Sequence, residues 1–311
     1  MTDNKRDPLS LPFSQDAETL CIVLGGRFGE EPEQLSFERL ERFSSAGGQW
    51  VDTAHSYADG RSEEIIGKWM STRPGTLRVM DKIGHPSADG SLDLTGRNLR
   101  KEAEQSCRRL QVPSLDVVML HRDDPGRTVE ELVETLVGLV SSGLAARVGV
   151  SNWRADRLAE LVPLLVAAGH VPVVSYQFSL AVPSRPLWPG TLHECDALRA
   201  VITQHDLPLV AWAGQARGFF AGAGEPVGPG VSDPFDTPRN RERRRRCQAV
   251  AHDLGVRPET VALAWTLHRP GVWPVIGARS VDEVDISMAA SSLTLDETVV
   301  QWLKAEDGKH A

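Results

Sequence analysis

LDVVMLHRDDPGRTVEELVETLVGLVSSGLAARVGVSN, residues 115–152, holds a complete strand–helix–strand unit, and its reading decides the fold. LDVVMLH (115–121) and ARVGVSN (146–152) are β-rich runs whose apolar residues follow one another without alternation, as strands do when both faces of a parallel sheet are covered. Residues 129–142 between them carry helical spacing, with Thr128 in the N-cap position and Gly143 as a C-terminal stop.

The same unit repeats in both directions. Upstream lie LCIVLGG (20–26), WVDTA (50–54) and LRVMDKIG (77–84); downstream lie VPVVSYQ (171–177), LPLVAWA (207–213) and VWPVIGA (272–278), eight candidate strands in all. Helical stretches at 36–46, 62–70, 99–110, 154–167, 192–205, 241–254 and 259–268 fill the gaps, with Ser36 in an N-cap position and Gly255 as a stop. Eight βα units with no long linker predict an α/β protein, a single (β/α)8 TIM barrel over 1–311. The competing doubly wound sheet lacks its fingerprint, because LCIVLGGRFGEEPE does not lead into a G-x-G-x-x-G turn. The Gly- and Pro-rich stretch 213–239 reads as a long functional loop or mobile lid, and an extra C-terminal helix is expected at about 295–305.

With 41% hydrophobic and 24% charged residues the composition is globular, and 34 basic against 42 acidic side chains leave a net charge of −8. Such a surface repels phosphate backbones and anionic lipids, so neither a nucleic-acid nor a membrane partner is expected. The basic run RERRRRC from Arg241 lacks interleaved aromatics and reads as a solvated helix face. Cys21, Cys107, Cys195 and Cys247 stand far apart with no C-x-x-C pair, which argues against zinc and disulfides and fits a reducing, cytoplasmic setting. No apolar leader and no run of ~20 apolar residues is present, so no targeting or membrane segment is expected.

In a barrel of this kind reactive groups stand at the C-terminal ends of the strands. Asp52 ends the second run, Lys82, one of only six lysines, sits late in the third, and His121 ends the fourth. Tyr57, one of two tyrosines, follows Asp52 in the loop HSYADG and can lean over the barrel mouth. Each alone has a bland reading: a turn cap, a rim ion pair, a core histidine. Together they form a proton-donor site for carbonyl reduction, in which a lysine beside a tyrosine favours the phenolate, an aspartate keeps the lysine charged, and a histidine hydrogen-bonds the carbonyl oxygen. Trp50, Trp69 and Trp265 read as core, whereas Trp153, Trp188 and Phe219 are candidate pocket walls.

VDTAHSYADGRSEEIIGKWM, VMDKIG, DVVMLHRDD, ARVGVSNW and VIGARS resemble, in order, the signature blocks of the aldo-keto reductases across about residues 20–305. The resemblance implies a barrel that binds NADPH across its C-terminal face and reduces a small-molecule carbonyl substrate. It puts a catalytic tetrad on Asp52, Tyr57, Lys82 and His121, with Tyr57 as general acid. Cofactor contacts would fall on Ser151, Asn152 and Gln177 around the nicotinamide carboxamide, on Trp212 stacking on its ring, and on Gly218 in the following loop. Gly277, Ala278, Arg279 and Ser280 would form the phosphate turn, with Glu283 beyond it. Arg27, in GGRFG, and Trp153 would face the substrate. Two other readings stay open: a cofactor-bound regulatory subunit similar to potassium-channel β subunits, and a Schiff-base lyase using Lys82. The sequence leaves the individual substrate and the oligomeric state open.

Overall fold

The computed structural model describes residues 20–26, 28–222 and 232–305. Eight strands close into a parallel barrel in sequence order: β1 Val23–Gly25, β2 Trp50–Ala54, β3 Arg78–Ile83, β4 Val117–Leu120, β5 Val148–Ser151, β6 Val173–Gln177, β7 Leu209–Trp212 and β8 Val272–Ile276, with β8 pairing back onto β1. Helices α1 Glu33–Ser45, α2 Arg61–Ser71, α3 Gly96–Leu110, α4 Val129–Ser141, α5 Ala155–Ala167 and α6 Asp196–Gln204 follow the first six strands. Two helices, α7 Pro238–Leu254 and α8 Pro258–Leu267, separate β7 from β8; α9 Val281–Met288 and α10 Glu297–Lys304 complete the chain.

Period-two alternation sorts each strand into two populations. Val51, Val79, Val118, Leu120, Val150 and Val174 face the helices and join the main apolar core. Val23, Trp50, Met80, Val117, Met119, Val173, Val210, Trp273 and Val275 face inward and form a second cluster that fills the barrel. Gly149 belongs to this inner layer by necessity, since a Cβ there would lie 2.4 Å from the Val173 carbonyl oxygen and 2.7 Å from Met119 Cγ. The interior below the mouth is therefore packed with side chains, and water cannot reach the site from beneath.

Local signals decide most element ends. Thr128 caps α4 in a reciprocal box with Glu131, and Gly255 ends α7 in the left-handed conformation. Ser36, expected as a cap, lies inside α1: Pro32, extended at ψ 134°, starts the helix earlier, and Ser36 is buried with its hydroxyl donating to Glu31. The helix expected at 192–205 begins only at Asp196, because Leu192–Glu194 pairs with Gln177 as an extra strand segment.

The solvated face expected for RERRRRC is corrected in part. Arg241 and Arg245 are exposed, but Arg243 and Arg246 are buried. Arg243 donates to Leu180 O at 2.9 Å, and Arg246 donates to Trp302 O and Ala305 O at 2.8 and 2.9 Å. The carbonyls at the C-terminal end of α10 keep spare acceptor capacity and attract cations, so Arg246, with Arg243 donating to Lys304 O at 3.3 Å, docks that helix onto α7. Of the stretch 213–239, residues 223–231 lie outside the described residues, and so does Arg27. Residues 213–222 form compact turns that include a 3-10 turn at Ala216–Gly218. No described helix is long and apolar enough to cross a membrane.

Candidate active site

The inward-facing register places the site. Counting in twos from the buried inner layer, Trp50 leads to Asp52, Met80 to Lys82, Met119 to His121, Gly149 to Ser151, Val173 to Gln177, Val210 to Trp212 and Val275 to Gly277. All seven therefore point toward the barrel axis at its C-terminal end. Beneath them stand Trp50, Met80, Met119 and Trp273, all but inaccessible to solvent.

Lys82 Nζ donates to Asp52 Oδ1 at 2.5 Å and to the Thr53 carbonyl at 2.9 Å. Its ammonium lies 5.4 Å from the centroid of the Tyr57 ring, so the third N–H is left for the tyrosine side. Burial pulls the Lys82 ammonium down, but the charges of Asp52 and Tyr57 outweigh it and hold Lys82 above the usual lysine range. Burial pushes the Asp52 carboxyl up, with Lys82 opposing. The pair is ionised, and its lysine is a fixed cation at neutral pH.

Tyr57 opens a 3-10 turn, Tyr57–Gly60, in which Ala58, Asp59 and Gly60 all have positive φ of 50°, 53° and 88°. Two consecutive non-glycine residues in that region are strained, and surrounding contacts must hold them. Arg109 of α3 supplies the support: it donates to the His55 carbonyl at 3.3 Å and to Glu63 at 2.8 Å, and its guanidinium fills the place a Gly60 Cβ would need.

The His121 ring meets the Tyr57 ring edge-on at 5.7 Å. Burial, followed by the charges of Lys82, Arg122 and His85, holds the His121 imidazole well below its ordinary value, so it is neutral at pH 7. Its Nδ1 is buried without a hydrogen bond, which leaves Nε2 to face a ligand. His85, just past β3, packs edge-on against His121 at 4.6 Å.

The remaining strand ends form a polar arc. Asn152, with φ 62°, donates to Ser151 Oγ at 2.8 Å and accepts from Leu192 N at 3.0 Å, while Gln177 Nε2 donates to Ser179 Oγ at 2.9 Å. One Asn152 N–H and the Gln177 carbonyl oxygen stay uncommitted to any of these bonds. Trp212 ends β7 half-buried, its Nε1 unbonded, and faces the exposed Trp188 at 5.9 Å. Gly218 closes the next turn at φ 82°.

After β8, Ser280 caps α9 by accepting from Glu283 N at 3.2 Å, and Glu283 in turn accepts from the Arg279 backbone N–H at 2.7 Å. The Arg279 side chain is exposed and lies 3.5 Å from Glu283. Arg39 of α1, buried and itself held by Glu31, donates to the Ala278 carbonyl at 2.5 Å and fixes this turn.

Two expected wall residues need correction. Trp153 is wholly buried, covered by the Arg157 guanidinium at 5.3 Å, and belongs to the layer between barrel and helices. Counting in twos from Gly149 and Ser151 would point it inward, but β5 ends at Ser151 and the left-handed Asn152, φ 62°, turns the chain away. Phe219 is also buried, so Trp188 alone of the three lies at the open mouth. Arg39, Arg109 and His85 were not singled out from the sequence. Arg39 had a signal, since a cation within the buried α1 stripe Ser36, Leu40, Phe43 demands an internal partner; Arg109 had none short of its contacts.

Over residues 22–306 the chain matches the aldo/keto reductase family, and it belongs to that family. It is an oxidoreductase by that membership. Among its relatives are an aryl-alcohol dehydrogenase of Pestalotiopsis microspora, 26% identical over 90% of this chain and 74% of that one, and a norsolorinic acid reductase of Aspergillus flavus, 25% identical over 89% and 72%. Another, from Phanerodontia chrysosporium, is named aryl-alcohol dehydrogenase [NADP(+)] and is 26% identical over 88% of this chain and 76% of its own. The fold is that of a Klebsiella pneumoniae aldo/keto reductase solved with NADP and acetate, with a TM-score of 0.70, 24% identity and 93% of each chain covered.

Proposed function

We propose that the chain reduces aldehydes or ketones with NADPH and that Tyr57 is the proton donor. The observation that carries this reading is the buried Lys82–Asp52 ion pair beside the Tyr57 ring, with an uncharged His121 edge-on to the same ring. The residues present fit the cofactor. Trp212 offers an indole face, and Ser151, Asn152 and Gln177 offer amide-binding groups at neighbouring strand ends. Gly277, Ala278, Arg279 and Ser280 offer a cationic turn at the α9 N-terminus, with open space where a Gly277 side chain would stand.

Bound there, the reduced nicotinamide supplies the hydride that reaches the carbonyl carbon. His121 Nε2 donates a hydrogen bond to the carbonyl oxygen and orients it. The Tyr57 hydroxyl passes its proton to that oxygen as negative charge develops, and Lys82 stabilises the phenolate left behind. Asp52 keeps Lys82 in place and charged, and the closed barrel floor excludes water. The Trp188–Trp212 pair, together with relatives named for aryl alcohols, supports an aromatic carbonyl as substrate. A Schiff base on Lys82 would need a neutral amine, which the Asp52 carboxylate opposes.

The test is a panel of aromatic and aliphatic carbonyls followed by NADPH consumption, with Tyr57→Phe beside the wild type. The substitution keeps the ring and removes only the acid, so NADPH binding is expected to survive while kcat falls ~10²–10⁴-fold. A Tyr57→Phe protein with wild-type kcat on a substrate whose chemistry is rate-limiting would sink the assignment. Tight NADPH binding without turnover of any carbonyl would favour a regulatory role.

A further inference from the structure

Arg122 follows His121 directly and is half-buried at the barrel mouth. Its Nη1 donates to the His121 carbonyl at 2.7 Å, and no carboxylate partners it among the described residues. The acids beside it in sequence are committed elsewhere: Asp123 is held by Arg157 through two bonds of 2.8 and 3.0 Å, and Asp124 accepts from the Gly126 backbone N–H at 2.9 Å. The stem of Arg122 lies against Gly190, on the turn that carries Trp188, where a Cβ would stand 3.4 Å from Arg122 Cδ and Nε. Trp188 faces Trp212 and has the Arg217 guanidinium 5.0 Å over its ring, while His85 packs edge-on against His121 at 4.6 Å.

A guanidinium taken partly out of water without an anion costs free energy. Holding one backbone carbonyl does not require a full charge, because a neutral amide donates as well. Burial lowers Arg122 from its usual value while the Tyr57 side chain draws it up, which puts it within electrostatic reach of the reacting oxygen.

We infer that Arg122 is an anion subsite for the substrate, so that this enzyme takes aromatic aldehydes or ketones bearing a carboxylate, with the ring against Trp188 and the carboxylate on the guanidinium. The inference rests on the carbonyl-reductase reading above and adds the charge of the substrate to it.

The experiment compares the three carboxybenzaldehyde isomers with their methyl esters. At least one acid is expected to exceed its ester in kcat/KM by about tenfold to a hundredfold, mainly through KM, as a charge-assisted bidentate contact provides. Arg122→Gln should bring that ratio to about one, Arg122→Lys should retain part of it, and Arg154→Gln, at an exposed arginine paired with Asp156, should leave it unchanged. Esters that match or beat all three acids in the wild type would overturn the inference. So would equal losses on acid and ester in Arg122→Gln, the mark of a structural role, or a matching rise in the NADPH Kd, which would give Arg122 to the cofactor. Calorimetry of benzoate against benzamide, with and without NADP+, reads the subsite independently of turnover. Benzoate is expected to bind more tightly by a similar factor and to lose that advantage in Arg122→Gln; equal binding of the two would overturn the inference. Failure of every aldehyde to turn over, with benzoate still selected, would instead strike the reductase reading.

Discussion

Lys82 meets two opposed demands, since it is buried yet has to carry a charge. The conflict is resolved by Asp52 at 2.5 Å and the Thr53 carbonyl at 2.9 Å, which together leave one N–H toward Tyr57. Removing the cation in Lys82→Met leaves the Asp52 carboxylate buried and unpaired, which is expected to cost about 3–5 kcal/mol of stability. On the proposed reading it also takes away the charge that stabilises the Tyr57 phenolate, so kcat should fall within the same ~10²–10⁴-fold range as for the lost acid. The two effects separate in the double variant Asp52→Asn/Lys82→Met. Thermal unfolding should recover most of the lost stability, because no unpaired charge remains, while kcat stays low. Recovery of both together would mean that Lys82 acts only by holding the fold. On the proposed reading His121 carries a complementary requirement: it must donate a hydrogen bond to the carbonyl oxygen without replacing Tyr57 as the proton donor, and a neutral imidazole, a far weaker acid than an imidazolium, meets it.

The turn between β8 and α9, proposed above to hold the cofactor's phosphate, already holds a carboxylate of its own. Backbone N–H groups at a helix start attract anions, and here the Glu283 carboxylate already accepts from Arg279 N at 2.7 Å and lies beside the Arg279 guanidinium. On the proposed reading, a 2′-phosphate arriving at Arg279 has to displace that carboxylate. Arg279→Ala is therefore expected to reduce the preference for NADPH over NADH by about tenfold to a hundredfold in fluorescence titration. Glu283→Gln should tighten NADPH modestly, by about 0.3–1 kcal/mol, with NADH less affected. Equal weakening of both cofactors by Glu283→Gln would instead mean that the carboxylate itself holds the cofactor. The local half of this element was legible in the sequence, because Arg279, Ser280 and Glu283 cap one another within five residues. The other half was not: Arg39 reaches the Ala278 carbonyl from 239 residues away. The same division runs through α7, whose arginine run looks solvated until the carbonyls of α10 arrive from more than fifty residues downstream.

Across the whole molecule the barrel was legible because each strand announces itself within a few residues, and the order of the strands is the order of the chain. Facing was harder to read, since runs such as LDVVMLH are apolar at every position. The inner layer separates from the outer only when closure puts Met119 inside and Val118 and Leu120 against the helices. Asp81 shows what that ambiguity hides. It lies one step from Lys82 on β3, so it faces the helices, wholly buried beside Glu63 of α2. Asp81 faces the Glu63 carboxyl and the Ser106 hydroxyl with no cation on it among the described residues, whereas Arg109 holds Glu63 through Oε2. Burial first, and then the Glu63 charge, pushes the Asp81 carboxyl well above the usual carboxylate range. A carboxyl with a raised native pKa binds its proton more tightly in the folded chain than in the unfolded one, where it titrates near ~3.9. Its contribution is fully present below that value and is lost as pH rises through the native pKa, because in this window the native state holds a proton that the unfolded state has released. Asp81→Asn removes the titration and supplies an amide N–H that can face Glu63 Oε1. The Tm of the variant minus that of the wild type should therefore grow as pH is raised from about 4, the unfolded value, toward the raised native value, and level off above it. Each kcal/mol is worth about 2–4 °C for a chain near this size. A difference that stays constant over that range would show that Asp81 is ionised in the folded protein, and that Glu63 and Arg109 accommodate its charge.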